Sequence, residues 1–115
     1  MGLGFSHGGA QWSCSGFNDF RRRLARDIGM DLNSMHGYGG ATSWSTADDP
    51  LVPLLTHSDC DGNLAPDVCA KVAPRLEAII GTWPADGWDY DRDNGLKLAA
   101  GMRECARLGV PLVFR

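Results

Sequence analysis

Polar residues at spacings that suit metal or acid–base chemistry are concentrated in one segment, 57–68. Asp59 and Asp61 stand two residues apart and are followed by Gly62. Carboxylate oxygens at alternate positions of a loop suit a hard cation such as calcium, and a glycine after them permits the sharp turn that such a loop makes. Asp59 and Asp61 are therefore the candidate metal ligands of this chain.

The same segment resembles a degenerate EF-hand loop. Counted from His57, the residues Asp59, Asp61 and Gly62 take the third, fifth and sixth positions of that loop. His57 and Val68 replace the acidic residues that the pattern places at the first and twelfth positions. The segment keeps its turn-forming residues but lacks two of the acidic ligands. We therefore favour the interpretation that it forms a turn and local helix caps between two helices.

His57 and Cys60 allow two further interpretations. Their three-residue spacing is common in zinc sites, and Cys14, Cys69 or Cys105 would complete the ligand set. The same pair would serve as base and nucleophile in a cysteine enzyme. Cysteine is also an ordinary small core residue, and two of these cysteines fall on the apolar stripes of helices. We therefore expect no catalytic residue and no cofactor, with calcium or zinc as the alternatives.

Length and charge limit the classes of protein to consider. A chain of 115 residues has the size of a single globular domain, 1–115. Its net charge of -3 argues against nucleic acid as a partner, because binding to phosphates requires a basic surface. No apolar run approaches the length of a membrane span, and the first residues lack a secretory signal pattern. We expect a cytoplasmic protein with reduced cysteines and no membrane partner, its oligomeric state left open.

The expected fold class is α+β. The N-terminal residues alternate between apolar and polar side chains around two glycines at 8–9, which predicts a hairpin with a two-residue turn. In that register Leu3 pairs with Cys14 and Phe5 pairs with Trp12. The hairpin and a C-terminal strand are expected to form a short antiparallel sheet packed against three to four helices.

Apolar residues recur at spacings of three and four in three segments, which predicts three amphipathic helices. The first is expected to run from a cap at Ser15 to about Ile28. The second begins at Pro66 and keeps its phase across Pro74, so one helix, bent at the internal proline, is expected there. The third covers about 93–108, and a short additional helix is expected just before the segment 57–68.

Arginines and aromatic residues supply the candidate binding surface. The four arginines of the first helix are expected on its outward face, where a solvated surface is the simpler interpretation and a phosphate site is the alternative. Four tryptophans in a chain of this size exceed the needs of the core, and tryptophan together with arginine is typical of contact surfaces. The candidate binding residues are Arg21, Arg22, Arg23, Arg26, His36, Tyr38, Trp44, Trp83 and Trp88.

Four stretches of the chain, 15–18, 53–62, 73–76 and 111–115, resemble a group of small uncharacterised proteins carried by bacteria and their phages. The resemblance brings no activity and no site residue. It implies a small intracellular accessory protein or an interaction protein carried by a phage. The expected function is that of a non-enzymatic binding module whose partner is a protein or a small phosphorylated ligand, with a metal-binding domain as the alternative.

Overall fold

A computed structural model gives the structure of the chain and describes residues 2–57, 61–85 and 87–115, without the side chain of Thr46. The expected α+β class is confirmed, because two short antiparallel strand pairs accompany four helices in this part of the chain. In chain order the elements are β1 (Gly2–Gly4), β2 (Gln11–Ser13), α1 (Cys14–Asp27), α2 (Val52–Leu55), β3 (Asn63–Leu64), α3 (Pro66–Ile80), α4 (Tyr90–Leu108) and β4 (Leu112–Val113), with short 3-10 turns at Leu32–Ser34 and Trp44–Thr46.

The N-terminal hairpin forms, but in a different register from the expected one. Leu3 lies opposite Trp12, so the pairing of Leu3 with Cys14 and of Phe5 with Trp12 is wrong by two residues. A shift of two keeps every side chain on its own face, and the apolar side chains are buried as expected. The register differs because Phe5 leaves the hairpin and forms a bridge with Phe114 instead.

The C-terminal strand joins both ends of the described chain. Leu64 of β3 lies opposite Leu112 of β4 in an antiparallel pair. The amide of Gly4 donates to the carbonyl oxygen of Arg115 at 2.9 Å. The amide of Arg115 donates in turn to the carbonyl oxygen of Gly4, also at 2.9 Å. These two hydrogen bonds connect the β3–β4 pair to the hairpin.

The open edge of β2 is covered by side chains of α4. The Gln11 amide donates to Oδ1 of Asn94 at 2.9 Å, and the Tyr90 hydroxyl donates to the Gln11 carbonyl oxygen at 2.6 Å. The Trp12 indole donates to Oδ1 of Asp91 at 3.0 Å. Capping of an edge strand in this way prevents it from pairing with another chain.

Helix α1 begins two residues earlier than expected. The cap is Ser13 rather than Ser15, because the Ser13 hydroxyl accepts a hydrogen bond from the Gly16 amide at 2.9 Å. The apolar stripe faces the core, and its central residue Phe20 is fully buried. Arg21 lies in this stripe as well and is only 2% exposed, so its expected outward orientation is wrong.

Helices α3 and α4 pack closely against each other. As expected, α3 continues as one helix through Pro74. Helix α4 begins at Tyr90, three residues before the expected start, because the side chain of Asp89 caps it. A Cβ atom at Gly95 of α4 would lie 2.5 Å from Cδ1 of Ile80 and 3.0 Å from two ring carbons of Phe20, so the glycine allows α4 to pack closely against both side chains.

The described cysteines occur in two chemical states. Cys14 is disulfide-bonded, so the expectation of reduced cysteines is wrong for this residue. Cys69 and Cys105 are free thiols within the core. Burial raises the pKa of Cys69 to about 11 and also raises the pKa of Cys105. Within the described ranges, no helix is long and apolar enough to cross a membrane.

Candidate ligand-binding cleft

A polar cleft of about 370 Å³ lies between α1, the 36–44 loop and the end of α2. Among the described residues that line it, none is acidic. His57, which was expected to take part in metal or catalytic chemistry, stands at its rim. The structure brings five of the nine candidate binding residues to this cleft, namely Arg21, Arg22, His36, Tyr38 and Trp44.

Arg21 forms the floor of the cleft. Its Nη1 donates to the carbonyl oxygen of Leu54 at 3.3 Å and to that of His57, and its Nη2 donates to Oδ1 of Asn18. The guanidinium carbon lies 5.3 Å from the centre of the Tyr38 ring. The carbonyl groups at the end of a helix carry partial negative charge, so Arg21 holds the end of α2 against α1.

The wall opposite α1 is the 36–44 loop, which has no hydrophobic period but is well organised. The Tyr38 hydroxyl donates to the carbonyl oxygen of Leu55 at 2.7 Å. The Trp44 indole donates to the carbonyl oxygen of His36 at 2.9 Å, and the Tyr38 and Trp44 rings meet edge to face at 6.4 Å. Two aromatic side chains therefore fix the loop and leave the His36 side chain exposed at the cleft.

Arg22 supplies the most accessible guanidinium of the cleft. Its Nη1 lies 3.0 Å from Oδ1 of Asp19, and its Nε donates to Oδ1 of Asn33 at 2.8 Å. The carboxylate of Asp19 thus pairs with the arginine three residues later along α1. Both side chains of the observed pair are exposed, so the pair is weak and can open when a ligand arrives.

The other four candidate residues lie outside this cleft. Arg23 pairs with Asp89, and Trp83 is only 6% exposed, so its aromatic ring belongs to the core. Arg26 is exposed and lines the next depression along the surface. Trp88 is 79% exposed and touches only the Tyr90 ring among the aromatic contacts of the described residues.

The segment 57–68 is described only in part, since Asp59 and Cys60 lie outside the described residues. Asp61 is exposed, and Gly62 has a φ of 90°, as a sharp turn at that position requires. Within the described ranges, no group of three His, Cys, Asp or Glu side chains is placed to hold a metal ion. The disulfide removes Cys14 as a zinc ligand, because zinc binds the free thiolate.

His57 is fixed by the fold. Its Nε2 lies 2.9 Å from the carbonyl oxygen of Asn63, and its ring stacks on Phe114 with centroids 4.0 Å apart. These contacts favour a structural role for the imidazole over the roles of base or metal ligand that its spacing from Cys60 had indicated.

Sequence reasoning missed Asn18 and Thr56, which also line the cleft. Asn18 precedes Arg21 by three residues, so both share one side of α1, and this spacing was a usable signal. No signal of this kind marks Thr56, since its position depends on how α2 docks.

The arrangement combines two guanidinium groups, two imidazoles and two aromatic rings around one opening, which suits an anionic ligand. No protein-family model, curated protein or solved structure matches the chain. The geometry of the cleft is therefore the basis for a functional proposal.

Proposed function

We propose that this is a non-enzymatic binding protein whose polar cleft holds an anionic group of its ligand, a phosphate or a carboxylate. One observation carries the proposal. Arg21, Arg22, His36 and His57 line the same cleft, and none of its described lining residues is acidic, although the chain has a net charge of -3. A local concentration of basic side chains in an acidic chain is the arrangement that attracts an anion.

The side chains of the cleft would contribute to anion binding in two different ways. Arg21 is buried and fixed by carbonyl oxygens, so it contributes a stationary positive charge. Arg22 and His36 are accessible and can turn their N–H groups toward a ligand. A guanidinium presents parallel N–H groups that match the oxygens of a phosphate or carboxylate.

Isothermal titration with inorganic phosphate and with pyrophosphate tests this proposal. Loss of one charge-assisted contact costs about 1.5–3 kcal/mol, so Arg22→Ala and His36→Ala are each expected to weaken binding by roughly tenfold to hundredfold. Arg103→Ala is the matched control, because Arg103 is exposed on α4 and pairs with Glu77 away from the cleft. Absence of binding by the wild type, or equal affinity of Arg22→Ala, would show that the cleft does not hold an anion.

A protein partner at Trp88 is a second candidate function, favoured by the 79% exposure of this side chain. Exposed tryptophans are frequent hot spots of protein interfaces. Purification of the tagged chain from its native cells, with Trp88→Ala in parallel, tests it. A protein that accompanies the wild type and Arg103→Ala but not Trp88→Ala would support this function, and identical partners in all three samples would refute it.

The setting predicted from the sequence is the cytoplasm of a bacterium, for an accessory protein of the cell or of a phage. The disulfide at Cys14 weighs against a reducing compartment, where such bonds are rare. Alkylation of thiols in intact cells, followed by mass spectrometry, shows whether Cys14 is reduced or oxidised there. Reduced Cys14 would support the cytoplasm, and oxidised Cys14 would place the protein in an oxidising compartment.

A metal-binding domain is the remaining alternative and depends on the segment 57–68. Calcium or zinc bound there would stabilise the native state in proportion to its affinity. Addition of a chelator is then expected to lower the melting temperature, and native mass spectrometry to detect the ion. An unchanged melt without a metal mass would exclude this alternative.

A further inference from the structure

We propose that the ligand is an extended peptide of another protein, with acidic residues at one end and apolar residues at the other. This proposal rests on the proposed function of the polar cleft and names the class of its ligand. The acidic end lies in the polar cleft, and the rest of the peptide follows a surface furrow that begins there.

The furrow consists of four adjoining depressions. Arg22 lines both the polar cleft and a second depression of about 390 Å³. Gly29 and Met30 line the second depression and also a third one of about 300 Å³. Asp48 and Asp49 line the third depression and a fourth one of about 570 Å³. Each depression thus shares a wall with the next.

The chemistry of the furrow changes along its length. The first two depressions contain Arg22 and Arg26, which are suited to carboxylates, and the second also contains the exposed carboxylate of Asp31, so the polar cleft is the more favourable place for an acidic end. The fourth depression is largely apolar and is lined by Pro50, Pro53 and Pro74. A ligand that fits the whole furrow therefore needs negative charge at one end and apolar side chains at the other.

The acidic residues of the furrow also limit the class of ligand. The carboxylate of Asp49 pairs with Arg75 at 3.0 Å, whereas the Asp48 side chain is exposed where the third and fourth depressions meet. Exposed carboxylate at this position repels the evenly charged backbone of a nucleic acid. A peptide can carry its charge at one end only, so charge complementarity favours it.

The extent of the molecule limits the length of the peptide that can follow its surface. An extended chain advances by about 3.3 Å per residue, so about ten residues span roughly 33 Å. The described part of the chain measures 36 × 34 × 28 Å. A peptide of this length follows one side of the molecule, whereas a small metabolite fills a single depression.

Fluorescence anisotropy with three labelled peptides tests the proposal. The first begins with glutamates, continues with a glycine–serine spacer and ends with leucines; the second contains only the acidic half and the third only the apolar half. We expect the whole peptide to bind at least tenfold more tightly than either half, because the two contacts are linked. Inorganic phosphate is expected to displace the acidic half.

Two variants separate the ends of the furrow. Ala70→Glu places a carboxylate in the fourth depression at an exposed position of α3, and it should weaken the whole peptide at least tenfold without changing the acidic half. Ala100→Glu, an equally exposed position of α4, is the control and should change neither. Arg22→Ala should weaken the whole peptide and the acidic half alike.

Each negative binding result has a definite meaning for the proposal and for the proposed function. Equal affinity for the whole peptide and the acidic half would confine the ligand to the polar cleft, and the proposal would be wrong while the proposed function stood. Tight binding of phosphate with no binding of any peptide would have the same meaning. If neither phosphate nor any peptide bound, both the proposal and the proposed function would be wrong.

Discussion

The guanidinium carbon of Arg23 lies 3.5 Å from the centre of the Trp83 ring. The Nη1 and Nη2 atoms of the same arginine donate to the two carboxylate oxygens of Asp89 at 3.1 and 2.9 Å. Asp89 also caps α4, because its Oδ1 accepts a hydrogen bond from the Arg92 amide. One carboxylate thus connects α1, the connection before α4, and α4 itself.

Removal of either partner of the pair between Arg23 and Asp89 is expected to destabilise the fold. Arg23→Ala loses the ion pair and the contact with the Trp83 ring, and Asp89→Ala loses the ion pair and a helix cap that is worth about 1 kcal/mol. We expect a coupling energy of about 1 kcal/mol in a double-mutant cycle measured by urea unfolding. The same cycle on the exposed pair Glu104–Arg107 is the control and should give a smaller value. A coupling of zero would show that Arg23 and Asp89 act independently.

The stabilisation by Asp89 is expected to depend on pH. The hydrogen bond from Arg23 is the main cause that lowers the pKa of Asp89 below its ordinary value of 3.8. Because the folded state then binds fewer protons than the unfolded state, the stabilisation is complete above that value and is lost as the pH falls through the lowered pKa. Measured unfolding free energies of the wild type and Asp89→Asn should converge toward low pH. A constant difference between them would contradict this assignment.

Replacement of Arg21 is expected to be costly even by lysine. A single ammonium group cannot reproduce the planar fork that donates to the carbonyl oxygens of Leu54 and His57 and to Oδ1 of Asn18. We expect Arg21→Lys to lower the free energy of unfolding by about 2–4 kcal/mol. Arg26→Lys, at an exposed position of the same helix, should have little effect. Chemical denaturation of both variants checks this, and a wild-type stability of Arg21→Lys would refute the structural role.

The contact between Asn94 and the edge of β2 is expected to protect one backbone amide. Asn94→Ala leaves the Gln11 amide without its acceptor, at a cost of about 1–3 kcal/mol. Hydrogen exchange at the Gln11 amide should become much faster in this variant. Tyr90→Phe removes only the bond to the exposed Gln11 carbonyl and should affect this amide less. Unchanged exchange in Asn94→Ala would mean that the amide is protected by other means.

The free thiols of the core are expected to react slowly in the native state. With a pKa of about 11, roughly one Cys69 side chain in a thousand is a thiolate at pH 8, and both Cys69 and Cys105 are fully buried. Labelling with a thiol reagent should therefore be slow until denaturant is added. Mass spectrometry of the labelled peptides checks this, and rapid native labelling of either cysteine would show that the core opens easily.

The helices follow from local patterns more fully than the sheet does. The stripe of α3 keeps its phase across Pro74, and this was sufficient to predict a single helix. The hairpin register depended on tertiary structure, because a Cβ at Gly8 would lie 2.3 Å from the Lys97 carbonyl oxygen. The turn is thus pressed against α4, and Phe5 forms its bridge with Phe114, and neither contact is indicated by the local spacing.

The floor of the polar cleft was partly visible in the sequence. Arg21 stands four residues after Phe17 and three before Leu24, which are the spacings of one buried face. The charge of an arginine predicts an exposed side chain, whereas this spacing indicates a buried one, and the structure follows the spacing. The organisation of the 36–44 loop was not predictable, since it depends on hydrogen bonds from Tyr38 and Trp44 to distant carbonyl oxygens.

The reciprocal hydrogen bonds between Gly4 and Arg115 also affect the order of folding. The helices can form from local contacts while the ribosome is still elongating the chain, but the hairpin has no partner until Phe114 has been synthesised. Contacts between positions this distant in sequence are slow to form. The hydrogen bonds between Gly4 and Arg115 are therefore expected to form late in folding, after the helices have packed.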